Sequence, residues 1–533
     1  MTRVRDESRP SWWRRRRPDT RTAVWLFLLL FGFYALWAGG HTYSSDEEGA
    51  YQQARALMHG TYALEISPEN APITALRSGR DGLPAAVGGI GQSAAGVPLL
   101  ALGRLVSTAA PTEQQDVVER LFTGFTNSWI TALIVVLIFL IAREVGAGRR
   151  SAVLLALVYG VGTMAWPHAK TLLFSEPLAA LLICAGVLYA IRTTTRGTMP
   201  WALLSGLAIS ASMLARISTA PFLIIVAAYV LAIPLIRAGI KTKAAWRQMV
   251  PRTLLLGIGL AIPVVLLLAV NAWRYGSASD TGYGAVPLDF SPVEGLYGLI
   301  LSPGKGLLWY APVLLVAIVA LPFAFRRKPA EVSLFLLIIL ANLAIFARFF
   351  QWHGEQAWGP RYMQTVLPMV VLIVAPVLVP GCARWWRRGL VIAGGIGAIV
   401  GFLGSVIYFN AYFAFAGQRL GTQTVDQEPA LWRPIHFSPK WSPIVGHARL
   451  LNDAVVGTAG RIDGTDVTFG QTGVFPTADA ARYSWYFWPP QLDTWWYWLL
   501  PEKAPLWPLA LFPVFVVAAG TGLRGLRKES ASI

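Results

Sequence analysis

The hydrophobic and polar positions of this chain alternate in long blocks. Runs of roughly 20 mostly apolar residues, which are long enough to cross a bilayer, recur along the chain, with polar segments between them. The pattern predicts about twelve transmembrane helices, at residues 23–40, 121–142, 151–167, 174–191, 201–215, 217–236, 253–271, 307–324, 332–347, 362–380, 390–411 and 505–522. The predicted fold class is an all-α polytopic membrane protein.

The segments between the predicted spans differ in length and charge. One set is short and basic, for example Arg326-Arg327-Lys328, whereas the other set contains most of the acidic residues. Cytosolic loops are enriched in Lys and Arg, so both ends of the chain are predicted to be cytosolic. The long connections 41–120, 272–306, 348–361 and 412–504 are then predicted to lie outside a cell inner or plasma membrane.

This topology predicts the division of the chain. Residues 1–22 form a basic cytosolic tail, and residues 23–411 form a transmembrane domain that includes the outer loop 41–120. Residues 412–504 form an extracytosolic segment, 505–522 the last transmembrane helix and 523–533 a second cytosolic tail. Because polar and ionisable residues concentrate in the outer segments, we expect the chemistry on that side.

Composition supports a membrane protein and excludes a nucleic-acid partner. The chain is 55% hydrophobic and only 14% charged, against about 25% charged residues in a soluble domain. The net charge of +17 would suit nucleic acid. However, its basic residues concentrate in the predicted cytosolic segments, where anionic membrane lipids are their expected partners.

The first outer loop opens with the acidic sequence SSDEEGAYQQARALMHG. Ser45 and Glu48 have the spacing of a helix capping box, and Gly60 is placed to end the helix. The pattern predicts an amphipathic helix on the outer membrane surface. Asp46 and Glu47 follow the first span closely, where a carboxylate could serve as a general base. The alternative is that they only complement the helix dipole.

Several basic or ionisable side chains fall at the same predicted face of the membrane. A lipid-phosphate substrate would need such groups to hold its phosphate and stabilise the charge that develops on leaving. The candidates are His168, Lys170, Arg216, Lys305, His353 and Arg361. The alternative for each is a snorkelling anchor or an ion pair, for example Lys170 with Glu176.

Six strings of the sequence are similar to those of a known superfamily. They are SSDEEGAYQQARALMHG, GGIGQSAAGVPLLALG, WPHAKTLLFSEPLAALL, NAWRYGSASDTGYG, LSPGKGLLWYAPVLL and WHGEQAWGPRYMQTVLP. With the acidic pair after the first span, they resemble the GT-C superfamily of membrane glycosyltransferases. The nearest likeness is to poorly characterised bacterial members of the glycosyltransferase family 39 type, with protein O-mannosyltransferase-like and aminoarabinose-transferase-like proteins.

The resemblance implies inverting transfer of a hexosyl or pentosyl group from a polyprenyl-phosphate-linked sugar donor to an extracytosolic acceptor (protein, lipid or cell-wall glycan). The resemblance places the general base at Asp46, beside Glu47. It assigns binding of the lipid phosphate to Lys170, Arg216 and Arg361. Some members use a divalent cation, which Asp46 and Glu47 could ligate as Mg²⁺ or Mn²⁺. No other cofactor is implied, and residues 412–504 match no known acceptor-binding module.

Two readings from other classes stay open at this point. A lipid or polysaccharide transporter would suit twelve spans, but the centres of the predicted spans are nearly free of the ionisable residues that mark transport sites. A non-catalytic membrane partner of a cell-envelope assembly complex is the other. The acidic pair of the first outer loop favours an enzyme over both.

Overall fold

The computed structural model describes residues 11–65, 76–238, 243–284, 286–410, 412–413, 416, 420, 433–456, 460–462, 465–467, 492–499 and 506–531. Most of these residues are helical. The first seventeen helices are α1 (Ser11–Trp37), α2 (Ser45–Met58), α3 (Ile90–Ser107), α4 (Gln115–Thr123), α5 (Thr126–Glu144), α6 (Arg149–Val161), α7 (Ala165–Ala169), α8 (Ser175–Arg196), α9 (Pro200–Ala215), α10 (Ala220–Ala238), α11 (Lys243–Tyr275), α12 (Pro292–Ile300), α13 (Leu307–Tyr310), α14 (Val313–Arg327), α15 (Pro329–Phe346), α16 (Leu367–Leu372) and α17 (Arg384–Val406).

Shorter elements complete the described part of the chain. Four further α-helices are Arg433–Phe437, Pro443–Val456, Trp495–Trp498 and Leu511–Ala531. The 3₁₀ helices are Thr112–Gln114, Ile217–Thr219, Arg361–Thr365, Ala375–Val377, Pro439–Trp441 and Trp507–Ala510. Two antiparallel strand pairs join β1 (Leu76–Ser78) to β2 (Pro84–Ala86) and β3 (Gly460–Ile462) to β4 (Thr465–Val467).

Eight helical segments of the described residues are long and apolar enough to cross a membrane. They are Asp19–Trp37, Thr112–Glu144, Ser175–Arg196, Ile217–Arg237, Met249–Tyr275, Pro329–Phe346, Arg384–Val406 and Trp507–Glu529. The other four predicted spans coincide with shorter helices, α6, α9, α14 and α16. The predicted span 362–380 is broken into short helices: α16 ends at Leu372, and Pro376 in the next 3₁₀ helix has no N–H to continue an α-helix. The prediction of an all-α polytopic membrane protein is confirmed.

The predicted helix of the first outer loop is present, but it begins one residue early and does not lie on the surface. Its N-cap is Ser44, whose hydroxyl accepts a hydrogen bond from the Glu47 backbone N–H. Tyr51 and Ala54 are fully buried, and they pack beside Leu172. α2 is therefore enclosed within the protein, which holds the acidic residues of its first turn in place.

Small residues bring neighbouring spans into close contact. A Cβ atom at Gly259 of α11 would lie 2.3 Å from the Leu203 carbonyl oxygen of α9, and one at Gly206 would lie 2.6 Å from that of Leu256. Both distances are too short for non-bonded atoms. Glycine at these positions lets the two backbones approach, as small residues do in membrane helix pairs. This contact fixes α9, whose end supplies a residue of the candidate site.

We expect Gly259→Ala to destabilise the protein by about 1–3 kcal/mol, because the added methyl group overpacks the α9–α11 contact. Gly257→Ala is the matched control on the same helix, since nothing lies within 4 Å of a Cβ there. That control should be neutral or stabilising by up to about 1 kcal/mol, the helix preference of alanine. Thermal unfolding in one detergent compares the two variants. Equal melting temperatures would contradict the close contact.

Candidate active site

A cavity of about 590 Å³ lies at the ends of several spans. Its walls come from the start of α2, the start of α3, the start of α8, the segment after α9 and the end of α15, with the loop around residues 281–288. Asp46, Glu47, Arg216 and Arg361 all line it. The structure thus gathers four of the eight predicted site residues in one place.

Two carboxylates and two arginines form an alternating cluster on the cavity wall. The Arg361 Nη2 lies 3.1 Å from the Asp46 Oδ2, and its Nε lies 3.5 Å from the Glu176 Oε1. The Arg216 Nη1 lies 2.6 Å from the same Glu176 oxygen. The ring of Tyr362 adds contacts to both guanidinium groups, 5.2 Å from Arg361 and 5.1 Å from Arg216. We call these four charged residues the carboxylate–arginine cluster.

Local backbone geometry explains how Arg216 reaches this cluster. Arg216 is the C-cap of α9 and has an extended backbone, so its side chain leaves the helix axis at the cavity. Gly89 lies against the same helix end, where a Cβ atom would be 2.3 Å from the Ala215 carbonyl oxygen. Gly88 has a φ of +105°, a conformation that only glycine adopts readily. These two glycines let the start of α3 close the cavity wall.

The two predicted catalytic carboxylates have different surroundings. The Asp46 side chain is 53% exposed and reaches the cavity. Glu47 is 1% exposed, and its two carboxylate oxygens accept the backbone N–H groups of Tyr43 and Leu173, each at 2.7 Å. Burial raises the pKa of Glu47 to about 8, against the opposing effect of those two donors. Asp46 is thus available to a substrate, whereas Glu47 ties α2 to the segment before α8.

The neighbouring Glu48 has a structural role. Its carboxylate forms a bidentate pair with Arg120, at 2.5 Å and 2.9 Å, and Gln52 donates to it at 2.8 Å. Glu48 is completely buried. The pair fastens α2 to α4, and Glu48 is not among the residues that line the cavity.

Lys170 lies outside the cavity, in a buried cluster centred on Asp493. Its Nζ donates to the Asp493 Oδ2 at 2.7 Å and to the Ser405 carbonyl oxygen at 2.6 Å. The His41 Nε2 lies 2.7 Å from the other carboxylate oxygen of Asp493, and the Tyr43 hydroxyl donates to Oδ2 at 2.8 Å. The suggested pairing of Lys170 with Glu176 is therefore wrong. We call this group the Asp493 cluster.

The Asp493 cluster ties a distant segment to the entrance of α2. Asp493 and its neighbours in residues 492–499 lie beside the loop between α1 and α2, where the Trp495 backbone N–H donates to the Ala38 carbonyl oxygen at 3.0 Å. The indole N–H of Trp495 donates to the Ala35 carbonyl oxygen at 2.8 Å. Burial raises the pKa of Asp493, but the charges of Lys170 and His41 outweigh it and hold this pKa well below its usual range.

The remaining predicted site residues, Lys305, His168 and His353, do not line the cavity, and each contacts backbone groups. The Lys305 Nζ donates to the carbonyl oxygens of Glu355 at 2.6 Å and Ala357 at 2.5 Å. The His168 Nε2 lies 3.1 Å from the Trp358 carbonyl oxygen. The His353 Nδ1 accepts the Glu355 backbone N–H at 3.0 Å. Burial lowers the pKa of His168 to about 4 and that of His353 to about 3, so both rings are neutral at pH 7.

Sequence reasoning missed two cavity residues as site components. Glu176 was considered only as a partner of Lys170, but it bridges both arginines of the cluster. Glu355 lines the cavity with a φ of +57°, the one positive φ among the described non-glycine residues. A strained backbone of this kind often marks a functional site. Its position within WHGEQAWGPRY was the available signal, since that string also contains Arg361.

The carboxylates of the first loop have protein partners in this arrangement, and the predicted divalent cation stays a prediction. Both oxygens of Glu47 accept backbone N–H groups, and Asp46 faces the Arg361 guanidinium. Within the part of the chain that the structure describes, no group of three or more His, Cys, Asp or Glu side chains could hold a metal ion. The positive charge at this cavity comes from arginine.

Neither a protein-family model nor a curated protein matches the sequence. Solved structures that are similar to the chain include the following two. One is the oligosaccharyltransferase of Archaeoglobus fulgidus in its apo form, with a TM-score of 0.43, 11% sequence identity, and coverage of 78% of this chain and 59% of that chain. The other is ArnT from Cupriavidus metallidurans bound to undecaprenyl phosphate, with a TM-score of 0.40, 11% identity, and coverage of 97% and 78%. The chain thus spans about three fifths of the oligosaccharyltransferase and most of ArnT.

Proposed function

We propose that this protein is a membrane glycosyltransferase that moves a sugar from a polyprenyl-phosphate donor to an acceptor on the extracytosolic side. The observation that supports the proposal best is the carboxylate–arginine cluster. It sets an accessible carboxylate, Asp46, beside two arginines at the end of the membrane spans. A lipid-linked donor presents its phosphate and sugar at that depth, while its chain stays in the bilayer.

In the proposed reaction an acceptor hydroxyl attacks the anomeric carbon of the donor sugar. Asp46 takes the hydroxyl proton as the new C–O bond forms. The bond from the anomeric carbon to the phosphate oxygen breaks, and its electron pair leaves on the polyprenyl phosphate. Attack from the face opposite the phosphate inverts the anomeric configuration.

The two arginines supply the electrostatic part of this reaction. The leaving phosphate gains negative charge, which a preorganised guanidinium stabilises strongly where water is excluded. Arginine also binds a phosphate through two parallel N–H donors. Glu176, which is 2% exposed, touches both guanidinium groups, and together with Asp46 it balances their two charges when no donor is present.

Donor binding requires an exchange of partners at Arg361. Its guanidinium lies 3.1 Å from Asp46, but a base and a leaving phosphate must stand on opposite faces of the sugar. We infer that the donor phosphate replaces Asp46 as the partner of Arg361. The exchange would free the carboxylate for the acceptor and couple donor binding to activation of the base.

The proposed sidedness follows the distribution of basic residues along the chain. With both ends of the chain in the cytosol, the cavity opens on the extracytosolic face of the membrane. The proposed sugar donors on that face are lipid-linked and carry a phosphate, which the two arginines are suited to bind. The acceptor class stays open among protein, lipid and cell-wall glycan.

The proposal is tested with the purified full chain in nanodiscs and a panel of polyprenyl-phosphate sugars. We expect Arg361→Gln to weaken donor binding by about tenfold to a hundredfold, because a hydrogen bond to a charged group contributes about 1.5–3 kcal/mol. Arg361→Lys should recover only part of the loss, since lysine lacks the planar pair of donors. Binding and turnover of a labelled donor are the measurements.

The matched control is Arg80→Gln, which lies in the first outer loop but outside the cavity, with a side chain that is 62% exposed. It should bind donor like the wild type. Equal donor affinity in Arg80→Gln and Arg361→Gln would count against the arginine site. Absence of binding to every donor in the wild type would count against the glycosyltransferase proposal as a whole.

A further inference from the structure

A second cavity lies along the same pair of helices as the candidate active site, at their other end. Its volume is about 740 Å³, and it lies between α10, the end of α14 and the start of α15. The active-site cavity touches the opposite ends of this pair, at Ile217 before α10 and Phe346 at the end of α15. The two cavities share no lining residue.

The position of the second cavity along α10 places it on the opposite side of the membrane from the active site. Arg216 and Arg237 are 21 positions apart, or about 30 Å along helical backbone at 1.5 Å per residue. That distance matches the hydrocarbon thickness of a bilayer. The mouth at Arg237 therefore lies in the leaflet opposite the active site.

The second cavity is lined mainly by apolar side chains, and several of them are exposed at the surface of the protein. Ile224 and Ile236 of α10 and Leu337 of α15 are each more than half exposed. In a membrane-spanning helix such side chains contact lipid hydrocarbon. From Arg237 to Ile224 the cavity follows α10 for about 20 Å, which is close to the depth of one leaflet.

Cations line the end of the second cavity that lies farthest from the active site. Arg237, Arg327 and Lys328 stand there together, whereas Glu331 is the one carboxylate among the described residues that line it. Glu331 is buried, and its Oε1 lies 3.4 Å from both the Arg237 guanidinium and the Tyr229 hydroxyl. Arg237 is thereby largely compensated, and the charges of Arg327 and Lys328 remain in excess.

We propose that the second cavity binds one anionic phospholipid of the leaflet opposite the active site. Arg327 and Lys328 contact the phosphate, and the acyl chains lie along α10 and α15 against Ile224 and Leu337. Basic pockets between transmembrane helices recognise anionic head groups through this charge complementarity. The occupant holds α10 and α15 at a fixed separation, and α15 and the segment just before α10 also line the active-site cavity.

The test is lipid retention by the purified full chain, measured by native mass spectrometry after equilibration with phosphatidylglycerol or phosphatidylcholine. We expect the wild type to retain one phosphatidylglycerol in preference to phosphatidylcholine. The double variant Arg327→Gln/Lys328→Gln should bind phosphatidylglycerol about tenfold to thirtyfold more weakly, because each cation near a membrane surface contributes about 1 kcal/mol and 1.4 kcal/mol is tenfold.

Two further variants separate a built site from general attraction. Arg326→Gln removes a neighbouring charge that does not line the cavity, and it should retain phosphatidylglycerol like the wild type. Leu337→Trp leaves the charge unchanged but places a bulkier ring in the path proposed for the acyl chains, and it should retain less phosphatidylglycerol than the wild type. Equal retention of both lipids by the wild type, or equal losses in Arg326→Gln and the double variant, would overturn the proposal. Sugar transfer does not enter these measurements, so the result is independent of the proposed enzyme activity.

Discussion

Asp46→Asn is expected to lower the rate of sugar transfer by about 10²–10⁴-fold, the usual contribution of a positioned general base. Asparagine has nearly the same shape but cannot accept the acceptor proton at neutral pH. Donor affinity should be unchanged or higher, because the variant removes the carboxylate that competes with donor phosphate for Arg361. Turnover and donor binding are measured separately with the same lipid-linked sugar.

Glu47→Gln is the matched comparison at the adjacent position. Glu47 accepts two backbone N–H groups, and glutamine offers one carbonyl oxygen for them. We therefore expect reduced stability, at about 1–3 kcal/mol for a buried donor left unpaired, and a smaller loss of turnover in the protein that remains folded. Full turnover in Asp46→Asn with loss only in Glu47→Gln would move the base to Glu47.

Asp493→Asn is expected to lower the free energy of unfolding by about 3–5 kcal/mol, because it leaves the buried charge of Lys170 without its partner. Both residues are fully buried, and the Nζ–Oδ2 distance is 2.7 Å. Each ring nitrogen of His41 also faces an acceptor, Asp493 on one side and the Thr42 carbonyl oxygen on the other.

Denaturation in mild detergent measures this loss, and two comparisons make it specific. Asp280→Asn breaks the exposed ion pair with Arg77 and should cost less than about 1 kcal/mol. Adding Lys170→Met to Asp493→Asn should recover part of the loss, because the uncompensated charge is removed. An Asp493→Asn variant as stable as Asp280→Asn would show that the Asp493 cluster does not stabilise the fold.

The stability difference between wild type and Asp493→Asn should also depend on pH in a defined direction. The pKa of Asp493 is held below its usual value in the folded protein. The contribution of ionised Asp493 to the free energy of unfolding is therefore fully present above about pH 4, the pKa of an aspartate in the unfolded chain. It should be lost only as the pH falls below that value towards the lower folded-state pKa.

Local sequence was sufficient for the membrane fold. The apolar runs identified helices throughout, because a polar backbone inside hydrocarbon must satisfy its hydrogen bonds within each segment. The same runs predicted one long span over residues 362–380, where the structure has α16 between two short 3₁₀ helices, and they gave no sign that α2 is enclosed. Enclosure depends on neighbours that are distant in sequence, such as Leu172.

The candidate site was predicted in part. Asp46, Arg216 and Arg361 were identifiable because each lies beside the end of a predicted span, where charge is costly without a function or a partner. Their pairing was not identifiable, since 315 positions separate Asp46 from Arg361. Lys170 lies in the short connection between two predicted spans, and only the tertiary structure shows that it binds Asp493 and does not reach the cavity.

The sequence by itself therefore determined which segments are long apolar helices, and it predicted that the ionisable residues gather at one face of the membrane. Hydrophobicity and charge act locally in a bilayer, so each segment reveals its own preference. The tertiary structure decided which charges meet. Helix packing across hundreds of residues joins Asp46 to Arg361, Arg216 to Glu176 and Lys170 to Asp493. Ion pairing depends on distances of a few ångströms, and only the packed helices set those distances.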